Sequence, residues 1–107
     1  EWFQDNYSDA IQIAEVARHF KIGVRSLNRR FKAATNKTPL EYLQELRVNN
    51  AKELLKQSNL VVSEISYKVG YQDTSYFTGL FKKLNSVTPS EYRNLVRNKL
   101  FAAETEP

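Results

Sequence analysis

Arg25, Asn28, Arg29 and Lys32 follow one another at spacings of three and four residues, which places all four on one face of a helix. Their types suit the edge of a base pair. The arginine fork fits guanine O6 and N7, and asparagine pairs in the same two-pronged way with adenine N6 and N7. Each such contact discriminates between bases by roughly 1–3 kcal/mol. Val24, Leu27, Phe31 and Ala34 take the opposite face and are expected to be core. Arg30 and Lys32 lie toward the flanks of the reading face, where phosphate contact fixes register without reading sequence. The competing reading of Arg25 and Arg29 is surface ion pairing with acids on other helices.

Fifty residues further on, Ser75, Thr78 and Gly79 stand where Arg25, Asn28 and Arg29 stood, while Lys82 repeats Lys32. Serine and threonine touch several bases and a threonine methyl packs on a thymine methyl, so discrimination there should be modest. Phe77, Leu80, Phe81 and Leu84 form the expected core face. Gly79 costs its helix about 1 kcal/mol against alanine. Tyr71 and Tyr76 flank the preceding turn and are the tyrosines placed for DNA contact. His19 reads as a surface or boundary residue rather than a ligand.

These faces belong to a duplicated unit. Leu27, Phe31, Lys32, Thr38, Pro39, Glu41 and Tyr42 recur as Phe77, Phe81, Lys82, Thr88, Pro89, Glu91 and Tyr92. Before the turn the offset falls to 49, with Ile13, Glu15, Val16, Ala17 and Phe20 matching Val62, Glu64, Ile65, Ser66 and Val69. The second copy therefore has one extra turn residue. Each copy opens with a short amphipathic helix, the second capped by Ser63 and stopped at Gly70. A tight turn and a second helix follow, the later one capped by Asp73, which gives the helix-turn-helix pattern.

Both second helices end near Asn36 or Ser86. Thr38-Pro39-Leu40-Glu41 and Thr88-Pro89-Ser90-Glu91 then start new helices with a capping box and a proline whose missing N–H costs nothing. Leu40, Leu43, Ala51, Leu54 and Leu55 mark a long helix to about Lys56, broken at Gln57-Ser58-Asn59. Tyr42 and Tyr92 are packing residues in equivalent places. Residues 1–6 form a short helix carrying Trp2 and Phe3. The expected fold is all-α with about seven helices: a first subdomain over 1–38, a linker helix over 39–57, and a second subdomain over 58–107.

Composition agrees. The 107 residues suffice for one compact domain or two small ones sharing a helix. A hydrophobic share of 41% with 26% charged residues is an ordinary globular balance. Between positions 18 and 40 lie Arg18, Lys21, Arg25, Arg29, Arg30, Lys32 and Lys37 without one acid, the footprint of a polyanion partner. The later stretch sets Lys68, Lys82 and Lys83 against Asp73. Cysteine is absent, which excludes disulfides, zinc fingers and thiol nucleophiles. One histidine and dispersed carboxylates leave no catalytic constellation, and Gly23, Gly70 and Gly79 make no phosphate loop. No enzyme activity, metal or cofactor is expected. No apolar run approaches the roughly 20 residues of a membrane span, and no signal peptide is present. The cytoplasm is the expected compartment, and a chain opening on glutamate without methionine reads as a piece of a longer protein.

From Ile13 to about Arg97 the chain resembles the AraC/XylS family of bacterial transcription regulators. The resemblance rests on the two units, on Leu43-Gln44-Glu45-Leu46-Arg47, and on the stretch from Ile65 through Gly70-Tyr71 and Phe77 to Phe81-Lys82, closing in Pro89-Ser90-Glu91-Tyr92-Arg93. It implies that the second helix of each unit, third and sixth in the domain, enters adjacent major-groove segments of double-stranded DNA. Arg25, Asn28 and Arg29 then hold the first base-reading positions, and Thr74, Ser75, Thr78 and Gly79 the second. Lys82 and Lys83, with Arg30 and Lys32, would take phosphates. Where other members carry arginine, Gly79 departs from the pattern. The run from Leu27 to Thr35 resembles regulators with a DJ-1/PfpI-like N-terminal domain. By the resemblance, effector and dimer contacts sit in such a separate domain, and RNA polymerase is a candidate second partner. The rival reading is a helix-turn-helix module that binds protein and reads no DNA.

Overall fold

The computed structural model describes residues 17, 18 and 20–105, with side chains up to Lys99. Every regular element among them is a helix: α1 (Val24–Thr35), α2 (Pro39–Gln57), α3 (Val62–Lys68), α4 (Thr74–Asn85) and α5 (Pro89–Thr105). Ala17 and Arg18 are also helical. The helix expected over residues 1–6, the start of the one carrying Ile13 and Val16, and His19 lie outside the described residues. None of the helices is long and apolar enough to cross a membrane, among the described residues.

The helix starts follow local chemistry. Glu41 N–H donates to Thr38 Oγ1 at 3.2 Å, and Thr38 N–H donates back to Glu41 Oε1 at 3.0 Å. Glu91 and Thr88 repeat this at 3.2 and 2.9 Å. Asp73 caps α4, accepting from Tyr76 N–H. Ser63 is not the cap of α3. That helix starts two residues earlier than a Ser63 cap would set it, after Val61, with no side-chain cap. Ile65 and Ser66 in its middle are fully buried, and core packing can outweigh the roughly 1 kcal/mol of a serine cap. α1 and α4 both end on left-handed residues, Asn36 at φ 64° and Ser86 at φ 68°.

The duplication is visible bond by bond. Ile22 N–H reaches Ala17 O at 3.0 Å, and Tyr71 N–H reaches Ser66 O at 2.9 Å. From there Gly23 alone leads to α1, whereas Gln72 and Asp73 lead to α4, which locates the extra residue. The two helix-closing aromatic contacts also match. Phe31 meets Tyr42 edge-on at 5.3 Å, and Phe81 meets Tyr92 edge-on at 5.6 Å.

Two apolar clusters share α2. Ala17 and Leu27 bury Leu43, with Ile22, Phe31, Tyr42 and Leu46 around them. Ile65, Val69, Phe77, Leu80 and Phe81 bury Val48, Ala51 and Leu55. With about 100° between successive residues, Leu43 and Leu46 point roughly 150° away from Val48, Ala51 and Leu55. Arg47 falls midway on the seam between the two faces and is 5% exposed. Its guanidinium lies 4.8 Å from the centre of the Tyr71 ring. Asn49 and Lys56, on the opposite seam, face solvent.

Periodicity overstates the cores at their margins. Val24, Leu40 and Leu84 are 41%, 50% and 42% exposed, and Ala34 also faces solvent. At its far end, α2 is closed by arginines from α5. Arg93 Nε donates to Leu55 O at 3.0 Å, its Nη2 to Ser58 O at 3.1 Å, and Arg97 Nη2 reaches the same Ser58 carbonyl. Cations on a helix C-terminus satisfy orphan carbonyls and oppose the dipole's negative end. Burial, and then the neighbouring Arg97 charge, lower the Arg93 pKa.

Lys21, at φ 57°, occupies the position that Gly70 holds in the second copy at φ 107°. A left-handed conformation costs an L-residue about 1–2 kcal/mol, so Lys21→Gly should stabilise the fold by about 1 kcal/mol. The check is a rise in denaturant midpoint at unchanged m. The capping boxes carry a pH signature. The Thr38 N–H, then the Thr38 hydroxyl, hold the Glu41 carboxyl below its ordinary 4.5, and Thr88 does the same for Glu91. Depressed folded-state values mean that this stabilisation is complete above the unfolded value and fades as pH falls through the folded ones. A Glu41→Gln, Glu91→Gln chain keeps the boxes without the charge, and its Tm should fall less steeply between about pH 5 and 3 than that of the parent.

Candidate nucleic-acid interface

α1 turns its apolar side, centred on buried Leu27, into the first cluster. Arg25, Arg29, Arg30 and Lys32 are exposed on the other side and Asn28 is half-buried. Among the described residues Arg25 and Arg29 pair with no acid. Lys37 is different: its ammonium pairs with Glu45 of α2. One cation of the basic block is therefore neutralised from outside the block, where sequence spacing gave no sign of it.

α4 buries Phe77, Leu80 and Phe81. Ser75, Gly79, Lys82 and Lys83 are exposed, and Thr74 and Thr78 are half-buried. The six expected base-reading residues thus divide into two sets of three: Arg25, Arg29 and Ser75 are exposed, while Asn28, Thr74 and Thr78 stand at the flanks of the buried faces. A Cβ placed on Gly79 meets nothing within 4 Å. Packing within the chain does not require glycine there, and the surface over this turn of α4 is bare backbone.

Lys32 and Lys82 have a second relationship besides their exposure. After the threonine hydrogen bonds, their charges contribute to lowering the Glu41 and Glu91 pKa values respectively. The lysine repeated in both copies therefore stands beside a capping carboxylate in both.

The two tyrosines of the second turn have protein partners. Tyr71 is half-buried against Phe77 and Tyr76, with ring centroids 6.0 and 5.6 Å away. Burial raises its pKa, and Arg47 pulls it partly back. Its hydroxyl makes no hydrogen bond of ordinary geometry. Tyr76 is 52% exposed, and its hydroxyl accepts from Gln44 Nε2 at 3.2 Å. Gln44 and Arg47 enter the sequence reading only as part of the linker run, with no contact expected of them, although Leu43, Arg47, Ala51 and Leu55 form an unbroken i+4 row that marks position 47 as inward. Among the described residues no group of three His, Asp or Glu could hold a metal ion.

Comparison with known proteins bears on the family. A family model described as a helix-turn-helix domain matches residues 16–95. The HTH-type transcriptional activator RhaS of Yersinia pestis is 37% identical over 94 residues, covering 88% of this chain and 34% of that protein. RhaS of Escherichia coli is 34% identical over 92 residues, covering 86% of this chain and 33% of that protein. The chain spans about a third of the length of these activators. Among solved structures, the DNA-binding domain of the transcriptional factor AdpA, crystallised with a target DNA, superposes with a TM-score of 0.87 at 26% identity, covering 92% of this chain and 88% of that one. The C-terminal domain of the response regulator yesN from Fusobacterium nucleatum gives 0.83 at 29% identity, covering 85% and 89%. With the matched residues spanning both units and the linker, the chain belongs to the AraC-type helix-turn-helix family.

Proposed function

We propose that this chain is the sequence-reading DNA-binding domain of a bacterial transcription regulator, laying α1 and α4 in adjacent major-groove segments on one face of double-stranded DNA. The observation that carries this is the solvent-facing Arg25 and Arg29, which pair with no acid among the described residues, with Asn28 beside them, in a fold that AdpA uses on its target DNA. α2 has 19 residues, about 28 Å at 1.5 Å per residue, comparable to the ~34 Å of one DNA turn. A single chain then supplies both readers to an asymmetric site. If the DNA must bend to meet both, the cost is on the order of 1–6 kcal/mol.

The two readers divide the labour. Arg25, Asn28 and Arg29 carry most of the base reading. Thr74, Ser75 and Thr78 read weakly, and bare Gly79 lets the backbone come close to the groove. Arg30, Lys32, Lys82 and Lys83 hold phosphates. Effector and dimer contacts belong to a further domain, RNA polymerase is a second partner, and the cytoplasm is the place of action.

Arg29→Ala should cost about 1–3 kcal/mol on the selected site and relax base preference in one half of it. Lys82→Ala should weaken selected and random duplexes alike and lower the salt slope by about one. Equal losses on both duplexes for Arg29→Ala would remove its reading role. A chain without salt-dependent binding to random duplex would instead be a protein-interaction module.

A further inference from the structure

Gln44 and Arg47 are one helical turn apart on α2, both toward the side that carries the second unit. Gln44 Nε2 donates to the Tyr76 hydroxyl at 3.2 Å, the Tyr76 ring meets that of Tyr71 at 5.6 Å, and Arg47 lies against Tyr71 at 4.8 Å. The four side chains close a loop. Its two ends lie on the linker, and its outer member, Tyr76, stands in the first turn of α4, three residues after the Asp73 cap.

Among the described residues, the corresponding positions of the first unit carry no such pair of tyrosines. At the corresponding positions Tyr71 is matched by Ile22 and Tyr76 by Ser26, and α1 meets α2 through apolar packing. The apolar cluster beneath α4 runs from Phe77, at the end of its first turn, to Leu80 and Phe81 in its middle. The loop adds polar contacts between the N-terminal turn of α4 and the linker half that carries the first unit. An apolar contact resists separation but lets surfaces slide, whereas a hydrogen bond and a cation over a ring are directional.

We propose that Gln44, Arg47, Tyr71 and Tyr76 form a brace that fixes the angle of α4 on the linker, and thereby the half-site spacing that the domain accepts. These are positioning residues; none needs to touch a base. The inference rests on the DNA-binding reading above. One base pair added between half-sites moves the second by 3.4 Å and rotates it by about 35°. A braced α4 meets that change with strain, and an unbraced α4 follows it.

The test uses the 107-residue chain and a duplex selected by it from a random pool, rebuilt with one or two base pairs inserted or removed between the half-sites. Tyr76→Phe removes only the hydroxyl, and Gln44→Leu removes its donor while keeping helix propensity. For both, the ratio of affinity at the selected spacing to that at altered spacings should shrink by about two- to tenfold, the equilibrium worth of one hydrogen bond. Binding to the first half-site alone should stay unchanged. Arg47→Lys, which keeps the charge without the flat face, should shift the ratio in the same direction. A ratio unchanged in both Tyr76→Phe and Gln44→Leu overturns the brace. So does an equal loss at every spacing, which would make Tyr76 a direct DNA contact. Failure of the DNA-binding reading is distinct, because it shows in the parent chain as equal affinity for selected and random duplex.

Discussion

One helix has to be a wall of two cores. α2 presents Leu43 and Leu46 to the first unit and Val48, Ala51 and Leu55 to the second, and these faces look in widely different directions. A helix with a single apolar stripe can only lie on one core. By rotating the stripe part-way along its length, α2 attaches the two units to different sides and sets their relative placement through its own rigidity. Everything proposed for DNA depends on that rotation, since the free faces of α1 and α4 inherit their separation and angle from it.

The rotation has a consequence at its midpoint. Arg47 lies where both faces overlap and so is buried under both units, although it is charged. A buried charge is costly unless it is compensated, and the Tyr71 ring supplies part of that compensation. The arginines of α5 act similarly at the far end, where they take up the last carbonyls of α2. The linker is thus held at its start by a capping box, at its middle by a cation over a ring, and at its end by guanidinium groups. These contacts add to a high intrinsic helix propensity, since the stretch is rich in leucine, glutamate, glutamine and lysine.

What could be read from the sequence was what is local. Thr38 with Glu41, and Thr88 with Glu91, cap within three residues of chain, so their geometry follows from residue type. Asp73, Gly70, Asn36 and Ser86 are legible for the same reason. Tyr42 and Tyr92 were legible because the repeat carried each with its phenylalanine partner. The outward sides of α1 and α4 were legible as faces, because polar and large apolar residues fall mostly on opposite sides of both helices. The failures are tertiary. Ser63 lies inside α3, whose start after Val61 carries no side-chain cap and so leaves no local signal in residue type. Val24, Ala34, Leu40 and Leu84 sit on the expected sides but beyond the width that their neighbours cover. Lys37 is neutralised by Glu45 from another helix, and Gln44 and Arg47 gain their roles only when residues 71 and 76 arrive beside them.

The duplicated fold therefore does not imply duplicated chemistry, and the pattern of what was kept is informative. Both copies keep the capping box, the aromatic pair that closes the second helix, and the lysine beside the capping carboxylate. These hold each helix in place and keep a cation at its flank. The outward triad diverged from Arg25, Asn28 and Arg29 to Ser75, Thr78 and Gly79, from long groups with fixed forks to small ones with none. The copy with the smaller outward side chains is the one whose first turn is tied to the linker through directional contacts. A face that reads few bases contributes specificity chiefly through where it is held. On the proposed reading, the brace and the bland surface of α4 are two parts of one arrangement: the first unit chooses the sequence, and the second measures the distance.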